Sequence, residues 1–170
     1  MIVVVAGVSG SGKTTVGELV ARRFGWAFTD GDQLHPAANI AKMASGNPLT
    51  DEDREPWLAA IGAYMDERIA AGESAVVACS ALKRHYREQL LAGRSEVRIA
   101  FLETGKAETA ARLASRHGHF FDPDLLESQF AVLEPPSPDE AGVLIVPVTD
   151  GPEATAEAVI RRLSLDGAHA

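Results

Sequence analysis

The chain contains one cysteine, Cys79, among its 170 residues, and only 6% of its residues are aromatic. One cysteine cannot form an internal disulfide and provides no cysteine framework for a structural metal. Because Cys79 ends the apolar run 75–79, we expect a buried thiol. The sequence also lacks an apolar run long enough to cross a bilayer, and its apolar start at 1–6 lacks the basic segment of a signal peptide. We therefore expect a cytoplasmic protein with no membrane partner.

Basic residues are in the minority. The 16 Lys and Arg residues stand against 24 Asp and Glu residues, which gives a formal net charge of −8. An acidic average field repels nucleic acid, and no long basic run offsets it, so we expect no nucleic-acid partner. With 46% apolar residues and this length, the composition is typical of one globular domain spanning residues 1–170.

Short apolar runs alternate with helical periodicities along the chain. Five runs predict strands at 2–6, 27–29, 74–79, 97–102 and 143–148, of which 27–29 is the weakest. Helical patterns predict helices at 13–24, 51–71, 83–91, 106–116, 125–133 and 152–163. Buried strands separated by helices indicate a parallel sheet covered on both faces, which is a three-layer α/β/α fold. The segment 36–47 shows no clear pattern and is left unassigned.

The segment Gly7–Thr14 fits the phosphate-binding pattern G-x-x-x-x-G-K-[ST]. It follows the first predicted strand and opens the first predicted helix, which is the context that the motif requires. Its glycines let backbone N–H groups converge on phosphate, Lys13 reaches the β and γ phosphates, and the Thr14 hydroxyl can ligate Mg²⁺. We predict ATP and Mg²⁺ as cofactors. The predicted ATP-binding residues are Gly7, Val8, Ser9, Gly10, Ser11, Gly12, Lys13, Thr14 and Thr15.

Two carboxylates, Asp30 and Asp32, follow the second predicted strand. Ligands of open α/β sheets lie beyond the carboxyl ends of the strands, so both carboxylates can face the phosphate site. One can hold Mg²⁺ through water and the other can accept a proton from an attacking hydroxyl. The alternative is a solvated Asp-Gly turn. Ser80, rather than an aspartate, ends the third strand, and this favours the functional interpretation of Asp30 and Asp32.

Two basic clusters have open interpretations. The cluster 83–87 follows the third strand and either binds an anionic acceptor or forms a solvated helix face. Around Gly118, residues 112–119 carry Arg112, Arg116 and two histidines. This second segment is either a lid that closes over ATP or an ordinary charged helix end. Arg116 is the favoured candidate for stabilising the transferring phosphoryl group.

Longer motifs show that the chain resembles the gluconokinase (gluconate kinase) family, and the resemblance extends from Gly7 to about Val148. The matching segments are 30–36, 79–83, 85–87 and 118–121, with Asn39, Lys42, Met43, Gly46, Pro48, Leu49, Asp51, Asp53, Arg54, Pro56, Trp57, Arg116, Gln129, Phe130, Leu133 and Glu134. The resemblance implies ATP-dependent phosphorylation of D-gluconate at its 6-hydroxyl, in a chain that is often a homodimer. The implied fold is similar to that of shikimate and nucleoside monophosphate kinases, with a five-stranded parallel sheet, a substrate-binding helical region at about 35–72 and a small lid at about 116–124.

Each predicted role falls on a matching position. The expected catalytic residues are Lys13, Asp32 and Arg116, and Thr14 and Asp30 (through water) are expected to hold Mg²⁺. The resemblance places Asp32, His35, Arg54, Ser80, Lys83, His85 and Gln129 around the substrate. The alternatives are another small-molecule kinase, for shikimate or a nucleoside monophosphate, and a nucleotide-binding module without activity. A pure binding module has no need of Asp30, Asp32 and Arg116.

Overall fold

The computed structural model describes residues 1–115, 123–148 and 150–164. Five strands form one sheet in the order β2-β3-β1-β4-β5, and each pair of neighbours is parallel. The strands are β1 Ile2–Ala6, β2 Ala27–Asp30, β3 Ala75–Ala78, β4 Val97–Glu103 and β5 Val143–Pro147. The predicted five-stranded parallel sheet is therefore confirmed.

The helices begin and end within two residues of most predicted bounds. They are α1 Lys13–Phe24, α2 Ala37–Ala44, α3 Asp51–Ala70, α4 Arg84–Leu91, α5 Lys106–Ser115, α6 Pro123–Val132 and α7 Pro152–Arg162, with a single 3-10 turn at Gly31–Leu34. The residue pattern predicted neither the 3-10 turn nor α2, although α2 lies within the helical region at about 35–72 that the resemblance implies. Across the described ranges, no helix has both the length and the apolar character needed to cross a membrane.

The two faces of β1 belong to two separate hydrophobic clusters. Ile2 and Val4 belong to the cluster formed with α3 and α4, whereas Val3 and Val5 belong to the cluster formed with α1 and α7. Side chains alternate between the faces of a strand, so a fully apolar strand must be covered on both sides. All five residues of β1 are buried. This arrangement confirms the three-layer fold and leaves the carboxyl edge of the sheet as the open edge.

Helix α2 is held by polar contacts with the start of α3. Asn39 donates a hydrogen bond from Nδ2 to the backbone oxygen of Asp53 (2.8 Å), and Lys42 Nζ lies 2.5 Å from Asp53 Oδ2. Asp53 also completes a capping box with Thr50, the N-cap of α3. A hydroxyl at the N-cap and a carboxylate three residues later satisfy two backbone donors at the helix start. The same carboxylate therefore caps α3 and anchors α2.

Cys79 lies at the end of β3 and is 1% exposed. Burial raises the pKa of its thiol to about 12, because a thiolate would lose its hydration there. The expectation of a buried thiol is confirmed.

Candidate active site

A cleft opens at the carboxyl edge of the sheet. It lies between the phosphate-binding loop Gly7–Thr14 (the P-loop), the 3-10 turn, the start of α3, the end of β3 and α6. Most of the predicted site residues line it. They are Ser9, Gly10, Gly12, Lys13, Thr14, Thr15, Asp30, Asp32, His35, Arg54, Ser80, Lys83 and Gln129. His85 does not, because it is exposed on α4 with its ring edge-on to Tyr86. Arg116 and the rest of the predicted lid core, 117–122, lie outside the described residues.

The P-loop is shaped by two close backbone approaches. Gly7 has φ +140°, its N–H donates to the Ser80 carbonyl (3.2 Å), and a Cβ there would lie 2.9 Å from the Leu102 carbonyl oxygen. Gly10 has φ +78°, and a Cβ there would lie 2.7 Å from the Leu113 side chain. Only glycine combines these dihedrals with such short approaches. The loop is therefore packed onto β4 and α5 by its glycines, as its motif predicts.

The loop leads directly into α1. Gly12, with φ +96°, is the N-cap of the helix, and its carbonyl accepts a hydrogen bond from the Val16 N–H (2.8 Å). Lys13 Nζ donates to the carbonyl oxygen of Val8 (2.9 Å), so the lysine folds back across the loop. The unpaired N–H groups and positive end of a helix favour a phosphate at this position.

The two carboxylates after β2 have different surroundings. Asp30 accepts hydrogen bonds from the Thr14 hydroxyl (3.2 Å) and from the Asp32 N–H (3.0 Å), so it is directed at the P-loop helix. The Asp32 side chain is 80% exposed and lines the cleft. The turn between them therefore directs the Asp30 carboxylate toward the P-loop helix and leaves the Asp32 carboxylate exposed in the cleft.

The turn that carries these carboxylates is fixed by its neighbours. Trp57 of α3 donates a buried hydrogen bond from Nε1 to the Gly31 carbonyl (2.7 Å). A Cβ at position 31 would lie 2.6 Å from the carbonyl oxygen of Ala78, so the backbone of the turn lies directly against the end of β3. Trp57 matches the family resemblance, but nothing in the sequence pattern indicated this polar contact.

The Thr14 hydroxyl and the Asp30 carboxylate are suitable donors for Mg²⁺. Mg²⁺ takes oxygen ligands, keeps several waters and usually uses only one or two protein groups together with substrate phosphates. No group of three or more His, Cys, Asp or Glu side chains within 1–115, 123–148 and 150–164 forms an all-protein metal site. The residues present therefore fit a cation that arrives with nucleotide phosphates.

His35 lies against the ring of Trp57, with centroids 4.4 Å apart and planes 13° from parallel. Burial lowers the pKa of His35; the Asp32 carboxylate opposes this shift and Arg54 adds to it. The imidazole is consequently neutral near pH 7. His35 thus enters the cleft as a hydrogen-bonding group and not as a cation.

A charged network forms one wall of the cleft, where Arg54, Lys83 and Tyr86 line it. Asp51, the first residue of α3, accepts two hydrogen bonds from Lys83 Nζ (2.8 and 2.7 Å) and one from Tyr86 Oη (2.5 Å). These bonds lower the pKa of Asp51 and keep it ionised. Arg54 Nη1 lies 4.0 Å from Asp51 Oδ1 and donates to the Leu49 carbonyl (2.8 Å). Asp51 matches the family resemblance, but the sequence did not predict its place between the two cations.

The structure divides the basic cluster 83–87. Lys83 lines the cleft, Arg84 and His85 are exposed, and Tyr86 and Arg87 are buried. Neither predicted interpretation describes Arg87, which is 0% exposed and therefore neither solvated nor open to an acceptor.

Gln129 connects α6 to the P-loop. Its side-chain oxygen accepts a hydrogen bond from the Ser9 N–H (2.6 Å). Gln129 thus gives α6 a polar contact with the phosphate-binding loop, and the exposed Leu125 and Val132 of the same helix line the cleft. The prediction that Gln129 lies at the site is consistent with this position, and contact with the substrate stays a prediction.

A parallel 2-3-1-4-5 sheet whose P-loop faces a carboxylate pair and a cationic wall is the fold and site of a P-loop kinase. A family model described as an AAA domain matches residues 2–136. Among curated proteins, the gluconokinase of Gluconobacter oxydans (strain 621H) is 47% identical over 163 residues, covering 96% of this chain and 91% of that protein. The chain belongs to the gluconokinase family.

Solved structures agree with this placement. A gluconokinase from Sinorhizobium meliloti 1021 is 44% identical, with a TM-score of 0.81 and coverage of 96% of this chain and 93% of that one. The shikimate kinase of Aquifex aeolicus vf5 is 16% identical, with a TM-score of 0.60 and coverage of 100% of both chains. At this low identity the likeness shows a common fold and nothing more.

Proposed function

We propose that this protein is a gluconokinase, which transfers the γ-phosphoryl group of ATP to the 6-hydroxyl of D-gluconate and releases ADP and 6-phospho-D-gluconate. The 47% identity to a gluconokinase over nearly the full length is the observation that carries this proposal. The cleft supports it, because phosphate-binding, proton-accepting and cationic groups surround one space.

ATP binds along the P-loop, with its phosphates at the start of α1 and Lys13 turned from the Val8 carbonyl toward them. Thr14 and Asp30 would hold Mg²⁺, whose chemistry is to neutralise charge on the phosphate oxygens. Their hydroxyl and carboxylate are already 3.2 Å apart. Arg116, outside the described residues, remains the predicted source of further positive charge over the transferring group.

Asp32 is the residue proposed to meet the acceptor hydroxyl. A new bond forms between that oxygen and the γ phosphorus, the bond from phosphorus to the bridging oxygen of ADP breaks, and the hydroxyl proton passes to the Asp32 carboxylate. Because the transition state of phosphoryl transfer is loose, orientation of the hydroxyl contributes as much as its deprotonation. The exposed position of Asp32 in the cleft gives an acceptor direct access to it.

The wall formed by Arg54, Asp51 and Lys83 suits a monocarboxylate. Arg54 and Lys83 carry two positive charges and Asp51 one negative charge, which leaves one uncompensated positive charge on the wall. An ionised group held among cations gains from charge-assisted hydrogen bonds, so one carboxylate completes this wall. Neutral His35 and the hydroxyl of Ser80 are available to the sugar hydroxyls. Contacts from His85 and Gln129 to the substrate stay predictions.

The closing test is ADP release by purified protein with ATP and Mg²⁺, with and without D-gluconate. Shikimate and nucleoside monophosphates serve as control acceptors. Release that depends on gluconate supports the proposal. Release that depends on another acceptor would keep the kinase class and reject the substrate. No acceptor-dependent release, in protein shown to bind ATP, would favour a non-catalytic module.

We also propose that the protein is a cytoplasmic homodimer. Light scattering of the purified protein tests the oligomeric state.

A further inference from the structure

Arg87 of α4 has an unusual environment for an arginine. It is 0% exposed, although arginine is almost never fully buried unless it is paired. Its Nε and Nη2 atoms donate to the two carboxylate oxygens of Glu140 (2.7 and 2.9 Å). Its Nη1 atom donates to the carbonyl oxygens of Ala81 and Leu82, both at 3.1 Å. Each nitrogen of the guanidinium therefore donates a hydrogen bond, and together these bonds join α4 to the loop after β3 and to Glu140.

The two carbonyls belong to the loop that follows β3. This loop, residues 79–83, brings Ser80 and Lys83 to the cleft. Ala81 at its centre has φ +41°, in the left-handed region that an L-residue with a Cβ adopts at an energetic cost. Such conformations persist where the surroundings determine them and concentrate at functional sites. The donors from Arg87 to the Ala81 and Leu82 carbonyls are among the contacts that hold this conformation.

The second anchor of the loop is the segment between α6 and β5. The Glu134 N–H donates to the Leu82 carbonyl (3.0 Å), and the Glu134 side chain accepts from the Arg84 N–H (2.7 Å). Glu140 has a 4% exposed side chain, and it also accepts a hydrogen bond from the Ser137 N–H (3.1 Å). The segment 134–140 thus binds the backbone of the loop directly. Through Glu140 it also binds Arg87, which donates to two carbonyls of the same loop.

From this geometry we propose that Arg87 and Glu140 are positioning residues for the acceptor: together they fix the 79–83 loop so that Ser80 and Lys83 face the bound sugar acid. The inference rests on the proposed function for its substrate. Neither residue touches the cleft, so they act through the loop and not on the reacting atoms. A misplacement of about 1 Å in such a loop is enough to lower turnover by on the order of 100-fold.

Arg87→Lys is the first variant, because lysine keeps the charge but cannot make the planar fork to Glu140 and reach both carbonyls. Arg94→Lys is the matched control. Arg94 also pairs bidentately with a carboxylate, Asp66 (2.6 and 2.8 Å), and binds carbonyls of residues 89, 90 and 92 at the far end of α4. Both variants therefore lose a similar set of bonds, but only Arg87→Lys loses those to the loop.

We expect Arg87→Lys to raise the KM for gluconate by about tenfold while the KM for ATP stays near the wild-type value, in keeping with a small misplacement. Amide hydrogen exchange in the peptide covering 79–83 should also become faster. Arg94→Lys should lower the melting temperature without either effect. If both variants lower the melting temperature alike and leave the gluconate KM and the loop exchange unchanged, the pair is merely structural and the inference is wrong.

A double variant keeps the test decisive if Arg87→Lys does not fold. Replacing a buried ion pair by apolar residues of similar volume often preserves the fold, so Arg87→Met/Glu140→Leu removes the donors to the loop without leaving a buried charge. A folded double variant with wild-type gluconate KM and loop exchange would overturn the inference. If wild-type protein does not phosphorylate gluconate, the proposed function fails by itself, and the loop exchange of the same variants still decides whether the pair fixes the loop.

Discussion

Replacement of Trp57 by phenylalanine tests how the turn between the two site carboxylates is held. The indole N–H donates to the Gly31 carbonyl (2.7 Å) in a buried position, and Trp57 itself is 2% exposed. Phenylalanine keeps an aromatic surface for the stacked His35 but has no donor. The Gly31 carbonyl, between Asp30 and Asp32, then loses its side-chain donor from α3, in a turn whose backbone lies directly against the end of β3.

The expected loss of stability has two parts. A buried acceptor left without its donor costs about 1–3 kcal/mol. The smaller ring removes apolar contact and leaves a small cavity, which adds roughly 1 kcal/mol. The free energy of unfolding should therefore fall by about 2–4 kcal/mol. For a chain of this length, that corresponds to a lower melting temperature by about 4–16 °C.

Urea denaturation followed by far-UV circular dichroism measures this difference without depending on tryptophan fluorescence. Trp26→Phe is the matched control, because the chain has two tryptophans and Trp26 is partly exposed and stacked on Phe24, away from the cleft. It should lose clearly less stability. A Trp57→Phe protein as stable as Trp26→Phe, with unchanged gluconate KM, would refute the view that this hydrogen bond holds the carboxylate turn.

Three further predictions concern the site itself. Lys13→Ala should reduce gluconate-dependent ADP release almost to background while the circular dichroism spectrum stays that of the wild type, since its charge serves the phosphates. Asp32→Asn should lower kcat by on the order of 100-fold or more, because positioning and proton acceptance are both weakened; wild-type kcat in a steady-state assay would contradict the assigned role. His35 has a pKa below its unfolded value of about 6.5, so unfolded chains bind the proton more readily and stability should fall as pH drops below that value. In His35→Gln the decrease in unfolding free energy between about pH 7.5 and pH 5.5 should be smaller than in the wild type; equal decreases would contradict the shift.

The sheet and the P-loop could be predicted because their determinants are local. The run at 2–6 is apolar throughout, as a strand buried on both faces must be, and Gly7, Gly10 and Gly12 meet the dihedral demands of the loop. Neither feature determines the order of the strands in the sheet. The overall fold was implied by the resemblance to the gluconokinase family. Asp30 and Asp32 were correctly placed at the cleft because the end of β2 is fixed by the pattern of apolar residues.

Helix α2 could not be predicted from its own residues. Eight residues form a marginal helix in isolation, so helical propensity alone does not decide this segment. Its stabilisation comes from Asn39 and Lys42, whose partner Asp53 lies in the next helix. Sequence periodicity does not report contacts of this kind, because the partner lies outside the periodic segment.

The basic cluster after β3 shows why charge alone does not identify a binding residue. Lys83 and Arg87 are four positions apart and carry the same charge, yet one lines the cleft and the other is fully buried. The difference lies in distant carboxylates: Asp51, 32 residues before Lys83, and Glu140, 53 residues after Arg87. A buried guanidinium is stable only when its partner and its other donors are all satisfied, whereas a partly exposed ammonium can exchange its partner for a ligand. The ability of a cation to bind substrate in this cleft therefore depends on whether its protein partner leaves it accessible, which only the folded chain decides.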